Sequence, residues 1–373
     1  MIKTIFPSAD ATLYEASESL NTGNDEILEI MKSVSGSSGA LARSRALIKF
    51  DVGPGSAISQ SLVDLGVTTE VAAGNLKWYL RVFVAEEIDV ATEYSMTVNQ
   101  VRRSWTKGSG RKTHKPITTD GVSWKYRDGT VAATEWGSAG GEFNPGNTPT
   151  TVVSQSFNNV QGDINVDVTD MVENWRSTAT AEDGNHGFCL KRSGSQETDS
   201  LEYGTQYYYS RNTNTIYAPR LEARYDDATH DFTTVNGTEV SMSDSITIQP
   251  RILPEYKQGS IERVFVDTTL NGGARSQAGS VGSTYKHYLP QSSSYAIIDN
   301  ATGEYVYNHN ATASYIGRID NTQNYFDIDT TGLFPERYYS IEFKINHYSG
   351  SIDVAKQIGT RYHKSKTLFK VVR

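Results

Sequence analysis

The run Ile164-Asn165-Val166-Asp167-Val168-Thr169-Asp170-Met171-Val172-Glu173-Asn174-Trp175 decides how the first half of the chain is read. Ile164, Val166 and Val168 alternate with Asn165, Asp167 and Thr169, the period of a strand with one buried face. The period then changes. Met171, Val172 and Trp175 fall at helical spacing, and Thr169 or Asp170 can cap a short helix by accepting from its free N–H groups. A strand that runs into one or two helical turns, with Trp175 plugging a core, is architecture. Nothing in the device is chemically reactive.

The alternation recurs on both sides of this run. Leu76, Trp78, Leu80, Val82 and Val84 alternate with Lys77, Tyr79, Arg81 and Phe83, which predicts a strand over residues 75–85. Arg45, Leu47, Lys49 and Asp51 are expected on one strand face, and Ala46, Ile48 and Phe50 on the other. Further strands are expected at 4–13, 26–31, 94–101, 151–160, 187–191, 202–209 and 220–225, with a short helix over 58–65 and a small-residue loop over 33–39. Residues 102–150 form a long insert rich in Gly, Ser, Thr and charge that holds Trp105, Trp124 and Trp136. A loop of that length inside a compact domain is functional or is pinned by its own side chains.

Asp226-Asp227 breaks the pattern, and a boundary is expected there. It gives an N-terminal domain, 1–226, and a C-terminal region, 227–373, of one or two small units. Strands continue at 239–248, 260–266, 295–299, 304–307, 325–328, 338–345 and 367–372, separated by turn chemistry such as Asn271-Gly272-Gly273 and Ala301-Thr302-Gly303. The expected fold class is all-β: an N-terminal jelly-roll or β-sandwich domain followed by a C-terminal Ig-like β-sandwich region.

Composition agrees. The 373 residues include 22 Tyr and 31 Gly, types that favour pleated surfaces and tight turns. Lys+Arg number 35 against 43 Asp+Glu, an acidic balance that argues against a nucleic-acid partner. Cys189 is the one cysteine, so no internal disulfide can form, and its setting in Gly187-Phe188-Cys189-Leu190 suits a small buried filler. The start of the chain lacks the apolar core of a signal peptide and no apolar run approaches a membrane span, so synthesis in the cytoplasm and no membrane partner are expected.

Several segments of residues 4–225 arrive in the order of a known family. They are Ala9-Asp10-Ala11-Thr12, Asn21-Thr22-Gly23-Asn24, Ser44-Arg45-Ala46-Leu47-Ile48-Lys49-Phe50-Asp51, and the strand from Leu76 to Val84. Ser104-Trp105-Thr106-Lys107-Gly108, Val122-Ser123-Trp124 and Trp136 with Gly140-Gly141 follow, then Val166 to Trp175 and His186-Gly187-Phe188-Cys189-Leu190-Lys191. Together they resemble the DNRLRE family, a carbohydrate-binding-module-like β-sandwich. The departure is Lys107, where that family usually carries an acidic residue. Asn214-Thr215-Ile216-Tyr217-Ala218-Pro219-Arg220-Leu221-Glu222 with Tyr225-Asp226-Asp227 is similar to a junction in virion structural proteins of large tailed bacteriophages. So are His287-Tyr288-Leu289-Pro290, Tyr295 to Asp299, Thr302 to Val306, Asn324 to Asp327 and Gly332 to Tyr339. This second resemblance implies a particle component at the neck, collar or tail.

Chemistry is sparse by comparison. Asp167 with Asp170 and Glu86 with Glu87 are the nearest carboxylates to a glycosidase pair, but such pairs must face each other across a cleft. His114, His186, His230, His287, His309, His347 and His363 are scattered without the spacing of a helical zinc pair, so no metal centre is expected. Asp10, Asn24 and Asp25 could supply oxygens to a structural calcium ion, though turn residues are the plainer reading; no other cofactor is expected. Gly137 to Gly141 and Gly272-Gly273 read as turns. Arg102, Arg103, Lys107, Arg111, Lys112 and Lys115 cluster beside Trp105 and Trp124, either gripping a ligand or lying across inward-facing rings. Tyr207, Tyr208, Tyr209, Tyr217, Tyr338 and Tyr339 suit protein contacts, because tyrosine offers an apolar body and a polar tip.

The expectation is therefore a non-enzymatic structural component of a tailed-phage virion, made in the host cytoplasm. Its partners would be other virion proteins and copies of itself, through Tyr207, Tyr208, Tyr217, Tyr338 and Tyr339. The alternative is a module that recognises host-surface glycans through exposed Trp105, Trp124 and Trp136.

Overall fold

In the computed structural model the deciding run forms a strand, Ile164–Asp167, followed by a helix, Thr169–Ser177. The structure describes residues 1–34, 41–67, 76–130, 133–144, 150–159, 162–177, 184–228, 238–271, 287–310, 313–319, 323–349 and 356–373. Most of the expected loop at 33–39, Gly272-Gly273 and His230 lie outside them. Strands occupy 48% of the chain and helices 9%, so the chain is all-β, with a sandwich-like architecture.

The chain divides into two compact units, Ile5–Ala223 and Arg224–Arg373, the latter including Met1–Thr4. The first four residues thus leave the domain to which their sequence position assigns them. Lys3 Nζ stands 3.6 Å from Asp329 Oδ2, and Thr4 Oγ1 lies 3.4 Å from the Tyr307 hydroxyl.

The first unit contains β1 (Ala9–Tyr14), β2 (Ile27–Val34), β3 (Leu41–Lys49), α1 (Ala57–Asp64), β4 (Lys77–Val82), β5 (Val84–Ile88), β6 (Glu93–Gln100), β7 (Val152–Asn158), β8 (Ile164–Asp167), α2 (Thr169–Ser177), β9 (Phe188–Arg192), α3 (Gly194–Thr198), β10 (Gly204–Tyr209) and β11 (Arg220–Arg224). The larger sheet runs β7-β6-β9-β3-β2-β10-β5, with β1 also on β3, and the smaller contains β11-β4-β8 in that order.

β8 pairs antiparallel with β4 so that Ile164 opposes Val82 and Val166 opposes Leu80, which puts their apolar side chains on one face. α2 buries Met171, Val172 and Trp175, and the Trp175 ring lies 4.7 Å from that of Phe188 on β9. The plug thereby ties the helix to the larger sheet. The capping differs from expectation. The Asp167 carboxylate accepts from the Thr169 N–H at 2.9 Å, while Thr169 Oγ1 accepts from the Trp78 N–H at 2.9 Å.

Two further differences have physical causes. The single strand expected over 75–85 is two, because the chain leaves the smaller sheet at Phe83 and enters the larger one as β5, turning a sandwich corner. β3 buries every residue from Ser44 to Ile48 rather than one face, since neighbours cover both sides.

The second unit contains β12 (Ile246–Pro250), β13 (Glu255–Lys257), β14 (Ile261–Leu270), β15 (Ser294–Asp299), β16 (Tyr305–Tyr307), β17 (Gly317–Ile319), β18 (Gln323–Asp329), β19 (Tyr338–Ser349) and β20 (Lys356–Val372). One sheet includes β14-β18-β17, with β12 also on β14, and the other runs β13-β20-β19-β15-β16. Val264, Val266, Phe326 and Ile328 from the first meet Tyr295, Ile297, Ile341, Phe343, Ile345 and Phe369 from the second in one core. Tyr295 stacks on Phe326 with centroids 4.2 Å apart. The shared core makes this region one unit rather than two small ones. β20 begins at Lys356, well before the expected strand at 367–372, because its outward positions are mostly polar and mask the alternation. The strand expected over 239–248 is interrupted where the Asp244 N–H turns back to the Ser241 carbonyl at 3.2 Å. Among the described residues no helix is long and apolar enough to cross a membrane.

Replacing Trp175 with Ala should cost about 3–5 kcal/mol, the range for deleting a buried aromatic side chain. Leu201→Ala, at a side chain 60% exposed, should stay within about 0.5 kcal/mol. Urea unfolding followed by circular dichroism reads both.

Candidate functional site

The insert closes onto β3 through one buried cation. Arg45 donates from Nε to Glu197 Oε1 at 2.6 Å and from a terminal nitrogen to the Gly140 carbonyl at 2.6 Å. Its guanidinium lies over the rings of Trp124, at 4.8 Å, and Phe143, at 5.4 Å. Glu197 also accepts from Lys191 Nζ at 2.7 Å. Burial pushes the Glu197 carboxyl up, but the combined pull of Arg45 and Lys191 overrides it and holds the group below its usual range. Gly140 is required here: its φ is +84°, and a Cβ would come within 2.7 Å of both Arg45 and Trp124.

The three tryptophans face inward. Trp105, Trp124 and Trp136 are only 8%, 3% and 5% exposed and share a core with Leu13, Leu47, Val101, Val122 and Cys189. The indole N–H of Trp105 donates to the His186 carbonyl at 2.8 Å, and that of Trp136 to the Ser123 carbonyl at 3.0 Å. The exposed platform expected of these residues is therefore not formed: their faces are packed and two of their polar edges are engaged, so a sugar ring has no surface to stack upon.

The basic cluster is likewise engaged. Arg103 pairs with Glu142 at 3.3 Å, Arg111 with Glu26 at 3.6 Å, and Lys112 with Glu29 at 2.6 Å. Lys107 Nζ donates to Asn24 Oδ1 at 2.9 Å, and its charge favours the ionised form of Asp10. Two of the proposed calcium ligands thus already share an internal ammonium. The third, Asp25, accepts from the Lys112 N–H at 3.0 Å. Among the described residues no group of three or more His, Cys, Asp or Glu is placed to hold a metal ion. Asp10 is buried and its carboxyl is pushed up to about 7, chiefly by loss of solvent, against the opposing Arg211 N–H. Asn21 joins the insert to the first strands, donating to the Lys107 and Val122 carbonyls at 2.7 and 2.8 Å and accepting from the Gly110 N–H at 2.7 Å.

The carboxylates weighed for glycoside hydrolysis do not pair across a cleft. Asp167 is held by Thr169, Asp170 is exposed at the start of α2, and Glu87 accepts from the Tyr94 hydroxyl at 3.0 Å. The Cys189 thiol is buried and pushed up to about 12 by desolvation, which makes it inert.

The tyrosines divide. Tyr338 is 54% exposed, and Tyr207 and Tyr217 are half-buried. Tyr208 and Tyr339 are buried, so neither can meet a partner as expected. Their hydroxyls are engaged inside: Tyr208 donates to the Gly162 carbonyl at 3.0 Å, and Tyr339 accepts from the Phe334 N–H at 2.8 Å. The cause is the strand period. Tyr207 and Tyr208, like Tyr338 and Tyr339, are consecutive and point to opposite faces.

A second cluster was not visible in the sequence. On the face of the β15–β19–β20 sheet turned away from the core, the buried Ser294 opposes Lys344, and Lys344 opposes Tyr362. Ser294 Oγ lies 3.1 Å from His309 Nδ1, and His309 Nε2 lies 3.3 Å from Glu342 Oε2. The Tyr305 hydroxyl donates to the same Glu342 oxygen at 2.8 Å. The rings of Tyr305 and Tyr362 flank His309 at 6.3 and 5.8 Å, and both are exposed. Burial, seconded by the charge of Lys344, lowers the His309 pKa against the pull of Glu342. No local motif marks these residues: register brings Ser294 and Glu342 onto one face, and the loop after β16 carries His309 to them.

No family model and no curated protein matches this chain. A crystal structure of a DUF4785 family protein from Legionella pneumophila is similar with a TM-score of 0.22 and 8% identity, over 100% of this chain and 62% of that one. The chain thus spans less than two thirds of that protein, and a likeness of this degree carries no argument about function.

Arg45→Met should cost about 3 kcal/mol, because it leaves Glu197 buried with one partner fewer, and Arg45→Met/Glu197→Leu should regain part of the loss in urea unfolding. For Asp10 the sign runs the other way from a paired carboxylate. Its folded pKa lies above the unfolded one, so the native state keeps a proton that the unfolded chain has lost. Stability should therefore fall as pH rises from roughly 4 to 7, by at most about 4 kcal/mol. Asp10→Asn should flatten that part of the stability–pH curve.

Proposed function

We propose that this chain is a structural component of a tailed-bacteriophage virion, at the neck, collar or tail, and that it works by contacts with other virion proteins and with copies of itself. The observation that carries this reading is the internal engagement of the first unit's candidate chemistry. The tryptophans are packed, most of the insert's cations have internal partners, and Asp167 and Glu87 are held by neighbouring hydroxyl and backbone donors. A domain so arranged offers shape and rigidity rather than turnover. The resemblance of the junction near Asn214–Asp227 and of segments between His287 and Tyr339 to virion proteins supports the same role. Tyr338 is the outward tyrosine of its pair and the one placed to serve as a contact. The glycan reading rested on an exposed tryptophan platform, and with those rings buried no observation favours it.

Mass spectrometry of purified particles whose genome encodes this chain should find it in multiple copies, and imaging at side-chain detail should place it in a symmetric array. Its absence from such particles would refute the role. Within an array that docks through Tyr338, Tyr338→Asp should reduce incorporation by about tenfold or more while leaving the unfolding midpoint of the free chain unchanged.

A further inference from the structure

We infer that Ser294, His309 and Glu342 form a nucleophile, base and orienting acid able to cleave short-chain carboxylic esters, an activity of the second unit beyond its role in assembly. The argument begins with geometry. Ser294 Oγ is within hydrogen-bond distance of one imidazole nitrogen, 3.1 Å, and a carboxylate oxygen is 3.3 Å from the other. That is the relay by which a hydroxyl becomes a nucleophile: one nitrogen receives its proton while the opposite N–H is held by an anion. A neutral ring satisfies both contacts in a single tautomer, with Nδ1 accepting and Nε2–H donating.

The surroundings hold the array in place. Ser294 and Glu342 stand on neighbouring, hydrogen-bonded strands whose register places Ser294 opposite Lys344 and Ala296 opposite Glu342. These positions share the face turned away from the core, where Ser294 is 5% exposed and Glu342 and Lys344 are half-buried, while Tyr295, Ile297, Ile341 and Phe343 fill the core beneath. The Tyr305 hydroxyl donates to the same Glu342 oxygen that His309 contacts and so helps to hold the carboxylate. The charged and titratable groups facing His309 are Glu342 and Lys344 on β19, with Tyr305 on β16 and Tyr362 on β20; Lys364 on β20 opposes Glu342. Burial and Lys344 keep the imidazole neutral at neutral pH, the form a base requires. Tyr305 and Tyr362 give the exposed rim an aromatic surface for the body of a substrate.

The chemistry balances without a cofactor. Ser294 Oγ bonds to the ester carbonyl carbon as its proton passes to His309 Nδ1. The tetrahedral oxyanion develops on the face that carries Lys344 opposite Ser294, a positive charge of the kind that stabilises it. The carbon–oxygen bond to the alcohol then breaks, and the departing alkoxide takes the proton from His309. Water, deprotonated by the same nitrogen, attacks the acyl-serine and releases the carboxylic acid, restoring Ser294. The sum is ester plus water giving acid plus alcohol.

The full chain, treated with a fluorophosphonate probe and mapped by peptide mass spectrometry, should carry one adduct, on Ser294. It should also hydrolyse p-nitrophenyl acetate. Ser294→Ala should abolish both, and His309→Ala should slow labelling by about 100-fold or more. Glu342→Gln, a change at a positioning residue, should slow labelling and move the midpoint of its pH profile lower, because the carboxylate raises the imidazole pKa. Ser294→Cys should gain alkylation by iodoacetamide at position 294, while the buried Cys189 stays unmodified; this checks access to the position independently of the alanine variant's folding. Absence of the adduct on the unaltered chain, its mapping to a tyrosine, its persistence in Ser294→Ala, or hydrolysis that does not depend on Ser294 would each overturn the inference.

Discussion

A guanidinium taken out of water must recover its lost hydration from the protein, and among the buried arginines of the first unit it is Arg45 that does so through the insert. Its position in the middle of β3 is dictated by the strand, which is covered on both faces. The carboxylate of Glu197, the carbonyl of Gly140 and the faces of Trp124 and Phe143 together replace the lost hydration. An isolated buried ion pair is a weak source of stability, because desolvation offsets attraction. Its value here is specificity. The insert seats with Gly140 in its left-handed conformation and the ring of Trp124 beneath the cation, contacts that any other seating would leave unmatched.

The same constraint explains the character of the insert. A long segment without much regular structure must satisfy its backbone and polar side chains locally. Asn21 bonds three of its backbone groups, the indole N–H groups of Trp105 and Trp136 find carbonyls, and several basic side chains find carboxylates on the first strands. An aromatic and basic composition that could suit ligand capture is here the means of holding a loop still.

The second unit solves its folding problem differently. Its inner faces are aromatic and aliphatic and interlock through Tyr295, Phe326 and Phe343. The opposite face of the β15–β19–β20 sheet carries Ser294, Glu342, Lys344 and Tyr362, with Ser294 itself buried, and His309 reaches this face from the loop after β16. Ser294 and Glu342, on hydrogen-bonded strands, are held in fixed relative positions, which is a condition for chemistry through the imidazole that bridges them.

Local periodicity was enough to establish the all-β class, the strand and helix around Val168, and the burial of Trp175, because alternation and helical spacing depend only on neighbours in sequence. It expected both Tyr338 and Tyr339 at interfaces, although adjacent strand residues point to opposite faces. It did not say which would be outside; that depends on which face meets the other sheet. The inward turn of Trp105, Trp124 and Trp136 was decided by partners distant in the chain, among them Leu13, Leu47, His186 and Arg45. The placing of Ser294 and Glu342 on one face was decided by strand register, and a shift of one residue would have exchanged the faces of Ser294 and Tyr295; the loop after β16 then brought His309 to both. Pattern fixes which residues can share a face, but only the closed fold, where buried charge and ring must find one another, determines which faces meet.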